Sequence, residues 1–187
     1  MAKFFQSISE VHRDFILKQH IFFNASAAPD GRVNVSPRDT AALRVLDEHT
    51  VVYLDRTGSG NETAAHLRLN ARLTLMFCAF EGAPTILRLY GKGRILHRGT
   101  LEYAAMLASA FDNTEPPGAR QMMMLNVDLV QTSCGYGVPL YEYVGERNTL
   151  TRWAEAKGED GLDAYRRLKN VQSIDGFPTG LFENEQA

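Results

Sequence analysis

The sequence lacks the features that mark several protein classes. Its two cysteines, Cys78 and Cys134, are too few for a disulfide framework or for a structural zinc site, which needs about four ligands. Its five histidines are scattered, so we predict no metal site. The longest strongly apolar stretch, residues 73–80, is far short of the roughly 18 residues that a membrane helix needs. The N-terminus turns polar too soon for a signal peptide. We therefore expect a cytoplasmic protein without a membrane partner.

The sequence also lacks an excess of charge of either sign. Twenty Lys and Arg residues stand against 22 Asp and Glu, which gives a net charge of −2. General nucleic-acid binders normally present a net basic surface, so we predict no nucleic-acid partner. The length of 187 residues and a hydrophobic content of 44% are typical of one globular domain. We predict a single domain over residues 1–187, with a helical C-terminal extension from about residue 148 to 187.

Hydrophobic alternation and turn residues predict about six strands. A hairpin is expected over residues 21–36, where Pro37 ends its second strand. Gly91 and Gly93 predict either a bulge or a strongly bent barrel strand over residues 85–97. The other predicted strands cover residues 51–54, 72–80, 85–97 and 122–131. Helices are predicted over residues 9–20, 40–46, 62–70 and 100–111, with two final pieces at 150–157 and 161–169. Several connections are short, which requires antiparallel pairing, so the sequence favours a small antiparallel barrel with peripheral helices.

The segment TGSGNET at residues 57–63 lies between a predicted strand and a predicted helix. Its glycines let backbone N–H groups approach a ligand, its hydroxyls can donate, and a helix N-terminus favours an anion. These properties describe a phosphate site. An ordinary turn, in which Asn61 caps the helix, accounts for the same residues.

Three further segments carry polar groups next to predicted strands. Alternation places Asn34 and Ser36 on one face, and Arg38 just beyond is suited to a phosphate, although a solvated strand face has the same pattern. Arg88 interrupts an apolar strand and either faces solvent or lines a site. Residues 131–139 hold Tyr136 between two glycines and either contact a flat ligand or simply turn the chain.

No side-chain nucleophile with a partnered base is evident, and no pair of carboxylates is spaced for acid–base work. If the protein is an enzyme, we expect a bound cofactor to carry the chemistry. Trp153, the single tryptophan, is expected to anchor the last helix in the core.

Residues 10–180 together resemble the pyridoxamine 5′-phosphate oxidase-like family, the flavin-binding split barrels. The resemblance is carried by GRVNVSPR at 31–38, VYLDRTGSGNET at 52–63, LTLMF at 73–77 and LRLYG at 87–91. SCGYGVP at 133–139 and SIDGFP at 173–178 are similar to an uncharacterised bacterial subgroup of that family.

The resemblance implies a six-stranded antiparallel split β-barrel of the FMN-binding type, with FMN held in two clefts at a homodimer interface. It implies an oxidoreductase acting on an unidentified small molecule. By position, the strand end at residues 36–38 would contact the flavin ring or ribityl chain, and the segment from Tyr53 to Thr63 would hold the phosphate. The cofactor-binding residues that it implies are Ser36, Pro37, Arg38, Tyr53, Asp55, Arg56, Ser59, Asn61, Thr63 and Arg88.

The sequence departs from the true oxidases in its phosphate loop. Those enzymes carry an Arg-Lys pair after the loop serine, whereas Gly60 and Asn61 follow Ser59 here. The late Arg-x-His substrate signature also has no counterpart near the C-terminus. We therefore expect a relative that does not oxidise pyridoxamine phosphate. The missing pair leaves an alternative open, a non-catalytic binding module of the same fold for a deazaflavin, haem or another ligand.

Overall fold

The computed structural model describes residues 2–183, so residue 1 and the end of the predicted extension, residues 184–187, lie outside the described part. The strands are β1 (Lys3–Phe5), β2 (Ile21–Ser26), β3 (Asn34–Asp39), β4 (Leu43–Val45), β5 (Thr50–Arg56), β6 (Arg72–Cys78), β7 (Thr85–His97) and β8 (Ala119–Cys134). The α-helices are α1 (Glu10–Leu17), α2 (Glu62–Leu69), α3 (Leu101–Phe111) and α4 (Thr149–Lys169).

All the strands belong to one antiparallel sheet. Its order is β3-β2-β6-β7-β8-β5-β4, and β1 also pairs with β8. The inner face buries Phe22, Leu75 and Leu89, and helices α1 and α2 add Ile16 and Leu67 to the same core. A second core forms where α3 covers the opposite face of β5, β7 and β8. The prediction of a mainly β antiparallel fold with peripheral helices is confirmed.

The predicted count of six strands is corrected to the eight of the described chain. The additional strands, β1 and β4, have three residues each, which is too short to produce a periodic pattern. The helix predicted over residues 40–46 is limited to one 3₁₀ turn at Thr40–Ala42, because Leu43 and Val45 are buried on β4 while Arg44 between them is exposed. β3 also runs past Pro37 to Asp39. An edge strand tolerates a residue without an N–H group, and β3 is at the edge of the sheet.

Two β-bulges shape the sheet. The predicted one lies in β7, where the register against β8 shifts between Tyr90 and Gly91. The other lies between β5 and β8, since Asp55 pairs with Gln121 while the next residue of β5 pairs with Ala119. Arg120 is therefore the extra residue of β8 at this bulge. The bulge brings the consecutive side chains of Arg120 and Gln121 to Asp55, where both donate hydrogen bonds.

Helix α4 consists of two helical pieces, as predicted. Gly158 interrupts it with φ 64° and ψ 171°, a conformation that favours glycine. The ring centroids of Trp153 and Tyr165 lie 5.2 Å apart. In a straight helix their backbones would be about 18 Å apart along the axis. The second piece therefore turns back toward the first.

Candidate functional site

An open cleft of about 570 Å³ lies between β3, the end of β5, the loop before α2 and the segment after α4. This volume is within the roughly 300–1,000 Å³ typical of sites for a whole small ligand. Its lining is mostly polar: Asn34, Ser36, Arg38, Asp55, Gly58, Ser59, Gly60, Asn61, Glu62, Thr63, Arg120, Lys169, Gln172, Ser173 and Ile174.

The floor of the cleft is a buried carboxylate between two guanidinium groups. Asp55 Oδ2 accepts hydrogen bonds from Arg120 Nη2 at 2.7 Å, Arg120 Nε at 3.0 Å and Gln121 Nε2 at 2.8 Å. Arg38 Nη1 lies 3.0 Å from the other carboxylate oxygen. Burial alone would raise the pKa of Asp55, but the charges of Arg120 and Arg38 outweigh it and hold that pKa below its usual value. Asp55 is therefore charged at neutral pH.

Polar side chains of β2 and β3 form the adjoining wall. Thr63 Oγ1 accepts hydrogen bonds from Asn24 Nδ2 at 2.7 Å and from Asn34 Nδ2 at 3.1 Å. Ser36 Oγ donates to Asn34 Oδ1 at 3.0 Å, and Arg38 Nε donates to Asn24 Oδ1 at 3.2 Å. The alternation predicted for Asn34 and Ser36 is confirmed, and the network fixes the direction in which Arg38 points.

The loop before α2 is anchored through its carbonyl groups. Arg120 Nη1 donates to the carbonyl oxygen of Gly60 at 3.0 Å, and Asn170 Nδ2 donates to that of Gly58 at 3.0 Å. Within residues 2–183, no hydrogen bond is donated by the backbone N–H groups of Gly58, Ser59 and Gly60. Three donors at one turn of the chain therefore remain available to a ligand, an arrangement suited to an anion.

The segment after α4 completes the cleft. The Glu62 carboxylate accepts from the backbone N–H of Ile174 at 3.0 and 3.2 Å. The backbone N–H of Arg32 donates to Asp175 Oδ2 at 2.7 Å, and the two side chains form an ion pair. These contacts hold residues 172–174 at the rim. The SIDGFP segment thus has a structural role in closing one side of the site.

The structure brings together six of the ten residues implied by the resemblance: Ser36, Arg38, Asp55, Ser59, Asn61 and Thr63. Asn61 precedes α2, but its side chain makes no capping hydrogen bond. Instead it accepts from Gln121 Nε2 at 2.7 Å and donates to the carbonyl of Asn170 at 3.2 Å. It supports the loop from beneath.

The structure places the other four residues outside the lining of the cleft. Pro37 pairs with Phe23 and so lies on the opposite face of β3. Tyr53 packs in the core with its ring 5.2 Å from that of Phe22, and burial raises its pKa. Arg56 donates to the carbonyl of Pro117 at 3.0 Å and to Thr151 Oγ1 at 3.1 Å.

Arg88 is the fourth residue outside the cleft. It is half-buried on the face of the sheet that points away from the core, where it donates to Ser133 Oγ at 3.3 Å. In a single copy of the chain it does not reach the cleft.

Sequence reasoning missed Arg120, Gln121, Asn24 and Lys169. Arg120 and Gln121 directly precede the apolar residues MMML of a strand, and this pattern could have indicated a site. Charged and amide side chains at a strand end often line a site. Asn24 within the apolar run IFFNAS was a similar one. Nothing in the sequence marked Lys169, because it reaches the cleft only through the path of α4.

Among residues 2–183, no three His, Cys, Asp or Glu side chains cluster as metal ligands. Over the same residues, no helix has the length and apolar character required to cross a bilayer. Both cysteines are free. Cys78 is buried, as predicted, and Cys134 is exposed.

The curled antiparallel sheet with its peripheral helices defines a split β-barrel, and the polar cleft lies beside it. The sequence profile of pyridoxamine 5′-phosphate oxidase matches residues 8–134. A pyridoxamine 5′-phosphate oxidase family protein of Aspergillus flavus, ustO, is 37% identical over 194 residues, covering 95% of this chain and 78% of that protein. The chain therefore belongs to the pyridoxamine 5′-phosphate oxidase family.

Solved structures share the fold at lower identity. A crystal structure of a HupZ variant from Group A Streptococcus has a TM-score of 0.55 and 20% identity, covering 67% of this chain and 99% of that one. A candidate pyridoxamine 5′-phosphate oxidase from Lactobacillus delbrueckii has a TM-score of 0.52 and 20% identity, covering 67% and 94%. At this identity the likeness concerns the fold alone.

Proposed function

We propose that the protein is a flavoprotein that binds FMN in the cleft and acts as an oxidoreductase on a small molecule. The observation that carries this proposal is the loop before α2, where three unpaired backbone N–H groups adjoin the Ser59 hydroxyl at the edge of a cleft. Such a loop next to the N-terminus of a helix is suited to a phosphate group.

The charges of the lining fit an anionic ligand. Arg38, Arg120 and Lys169 stand against the carboxylates of Asp55 and Glu62, three cations to two anions. Asp55 pairs with both Arg120 and Arg38, so one positive charge of the two arginines is left uncompensated by it. Arg38 is the more exposed of the two arginines, so Arg38 and Lys169 are the cations suited to pair with a phosphate. They take the place of the Arg-Lys pair that is missing from the loop.

Gly58 provides a second sign of fit. A Cβ atom added there would meet no atom within 4 Å, and its φ lies outside the left-handed region. Neither crowding nor backbone conformation requires glycine at this position. A side chain would instead project into open space that a bound ligand can use.

A bound flavin supplies hydride-transfer chemistry, and the protein's own residues bind and orient it. Asp55 is fixed as a carboxylate by its arginines, and Glu62 is held by the N–H of Ile174. The lining contains no histidine, cysteine or methionine. The cleft thus holds charge and hydrogen-bond donors in place and offers no side chain suited to proton transfer near neutral pH.

The lack of a proton-transferring side chain in the lining also supports a second candidate, a non-catalytic binding module. A site without an acid or base suits storage or transport of a ligand. A deazaflavin fits this description. Haem fits less well, since the described lining offers no histidine, cysteine or methionine as an axial ligand. A bound flavin that no donor reduces and no acceptor reoxidises would favour this second candidate.

We further propose that the protein is a homodimer in which a second copy covers the outer face of β2, β6 and β7. Phe23, Met76 and Arg88 are neighbours in register on this face, and each is half-buried. A mixed surface of this kind, with its polar groups already bonded within the sheet, suits association between two copies. Arg88 would then come near a cofactor only through the dimer.

The first experiment is an absorption spectrum of the purified protein, followed by titration of the ligand-free protein with FMN. We expect flavin bands and release of the bound flavin on heating. The double variant Arg38→Ala/Ser59→Ala should lose at least about tenfold in FMN affinity, because it removes charge-assisted hydrogen bonds to the phosphate. Arg94→Ala, which breaks an exposed ion pair with Glu102, is the matched control and should leave the affinity unchanged.

Two results would overturn the proposal. One is a colourless protein whose melting temperature does not respond to FMN. The other is an FMN affinity that the double variant leaves intact. Pyridoxamine phosphate should not be turned over, because the loop lacks the Arg-Lys pair and the chain lacks the late Arg-x-His signature.

A further inference from the structure

A second pocket of about 200 Å³ adjoins the cleft. Its lining is Thr57, Gly58, Ser59, Leu150, Trp153 and Tyr165, so Gly58 and Ser59 form a wall common to both spaces. The volume is below the roughly 300 Å³ at which pockets hold a whole small ligand. This pocket is therefore suited to one part of a ligand whose remainder lies in the cleft.

The walls of the second pocket are aromatic. Trp153 and Tyr165 meet edge to face with an interplanar angle of 79°. Lys157 Nζ lies 5.9 Å from the ring centroid of Trp153 and 5.7 Å from that of Tyr165, which places a positive charge beside them. Two aromatic side chains next to a cation suit a planar ring that is attached to a phosphate.

The wall shared by the cleft and the second pocket is the part of the loop before α2 that has unpaired backbone N–H groups. The N–H groups of Gly58 and Ser59 are unpaired within residues 2–183, and the space beside Gly58 is open. A phosphate at this turn has the polar cleft on one side and the aromatic pocket on the other. FMN ends at its phosphate and would leave the aromatic pocket empty.

We propose that the Trp153–Tyr165 pocket binds the adenine ring of a dinucleotide, so that the flavin held here is FAD, with its FMN half in the cleft. This inference rests on the proposed flavin binding and extends it past the phosphate. The ribose and second phosphate of the adenylate half would cross the loop at Gly58.

The first test compares the dissociation constants of FAD and FMN for the ligand-free protein. We expect FAD to bind roughly tenfold more tightly, the size of one base–aromatic stack, and Tyr165→Leu to remove most of that preference while leaving FMN affinity unchanged. Leu168→Ala, an exposed residue of the same helix, is the control and should keep the preference. Equal binding of FAD and FMN to the unmodified protein would overturn the inference and leave flavin binding standing.

A second test needs no variant and no flavin. Trp153 is the only tryptophan, so its fluorescence reports occupancy of the pocket directly. We expect ADP to change the emission saturably and inorganic pyrophosphate to leave it unchanged. If neither flavin binds, the proposed function fails. The ADP titration still tests separately whether the Trp153–Tyr165 pocket binds adenine. No response to ADP overturns the adenine assignment.

Discussion

Asp55 connects parts of the chain that are distant in sequence. Its carboxylate holds Arg120 and Gln121 of β8 and Arg38 of β3, and Arg120 in turn holds the loop carbonyl of Gly60. The buried ion pair between Asp55 and Arg120 therefore helps to position the candidate phosphate loop, together with the hydrogen bond from Asn170 to the carbonyl of Gly58. Removing one member of such a pair leaves the other charged and without compensation.

We accordingly expect Asp55→Ala to lower the free energy of unfolding by about 3–5 kcal/mol. Urea denaturation with linear extrapolation measures the change. The control is Glu102→Ala, which breaks an exposed ion pair with Arg94 and should cost less than about 1 kcal/mol. A loss of similar size in both variants would show that the buried pair has no special weight.

The same pair predicts how stability depends on pH. The pKa of Asp55 is lower in the folded state than in the unfolded chain, so the unfolded state takes up its proton first as the pH falls. Its stabilising contribution is complete above the unfolded pKa of about 4 and is lost as the pH falls toward the folded value. Urea midpoints between pH 7 and pH 3 should fall less steeply for Asp55→Asn than for the unmodified protein. Parallel curves would contradict this assignment.

At the level of single residues, the sequence predicted several cleft residues near strand ends. It did not predict Arg120 and Gln121, which lie with Asp55 in the floor of the cleft. Ser36, Arg38 and Ser59 could be predicted because they lie within short polar motifs in or directly after a strand. Arg120 could not, because only the bulge between β5 and β8 turns its side chain toward Asp55. Strand alternation turns Pro37 and Arg88 to the face opposite the cleft, so their contact with a cofactor held between two copies stays a prediction.

Among the elements, β7 shows how a bulge depends on one residue. A Cβ atom at Gly91 would overlap the carbonyl oxygen of Asn126 on β8, which is backbone and cannot move aside. The glycine therefore allows the two longest strands to stay paired on both sides of the register shift.

We expect Gly91→Ala to cost about 1–3 kcal/mol of stability, because the strands must separate at the bulge. Gly137→Ala is the matched control, since a Cβ there meets nothing within 4 Å and its φ is not left-handed. Thermal denaturation of the two variants measures the difference. Equal melting temperatures would mean that the bulge accommodates a side chain.

Long elements with a clear period were predictable, and short ones were not. Helix α1 begins after Ser9, whose side chain caps it, and α3 after Thr100 in the same way. The segment over residues 40–46 resembled a helix because it contains consecutive alanines. Residues 43–45 form a strand because they pair with β5, and this contact cannot be predicted from the local sequence.

For the molecule as a whole, the dimer is the proposal most open to a direct test. We expect light scattering to give twice the chain mass of 20.9 kDa for the unmodified protein. Phe23→Lys places a charge on the proposed interface and should yield the single-chain mass together with weaker FMN binding. Val11→Lys is the control, because Val11 is 75% exposed on α1, the helix that packs Ile16 against the inner face of the sheet. A monomeric unmodified protein would exclude the interface.

The position of β8 also determines when the protein can fold. It pairs with β1, β5 and β7 and joins two parts of the sheet, although it is the last strand in the described chain. Until residue 134 has left the ribosome, β5 and β7 each lack a partner along one edge. A nascent chain that stalls before this point exposes two strand edges that can pair with other chains. The sheet is therefore completed only after β8 has emerged, and unpaired strand edges are exposed until then.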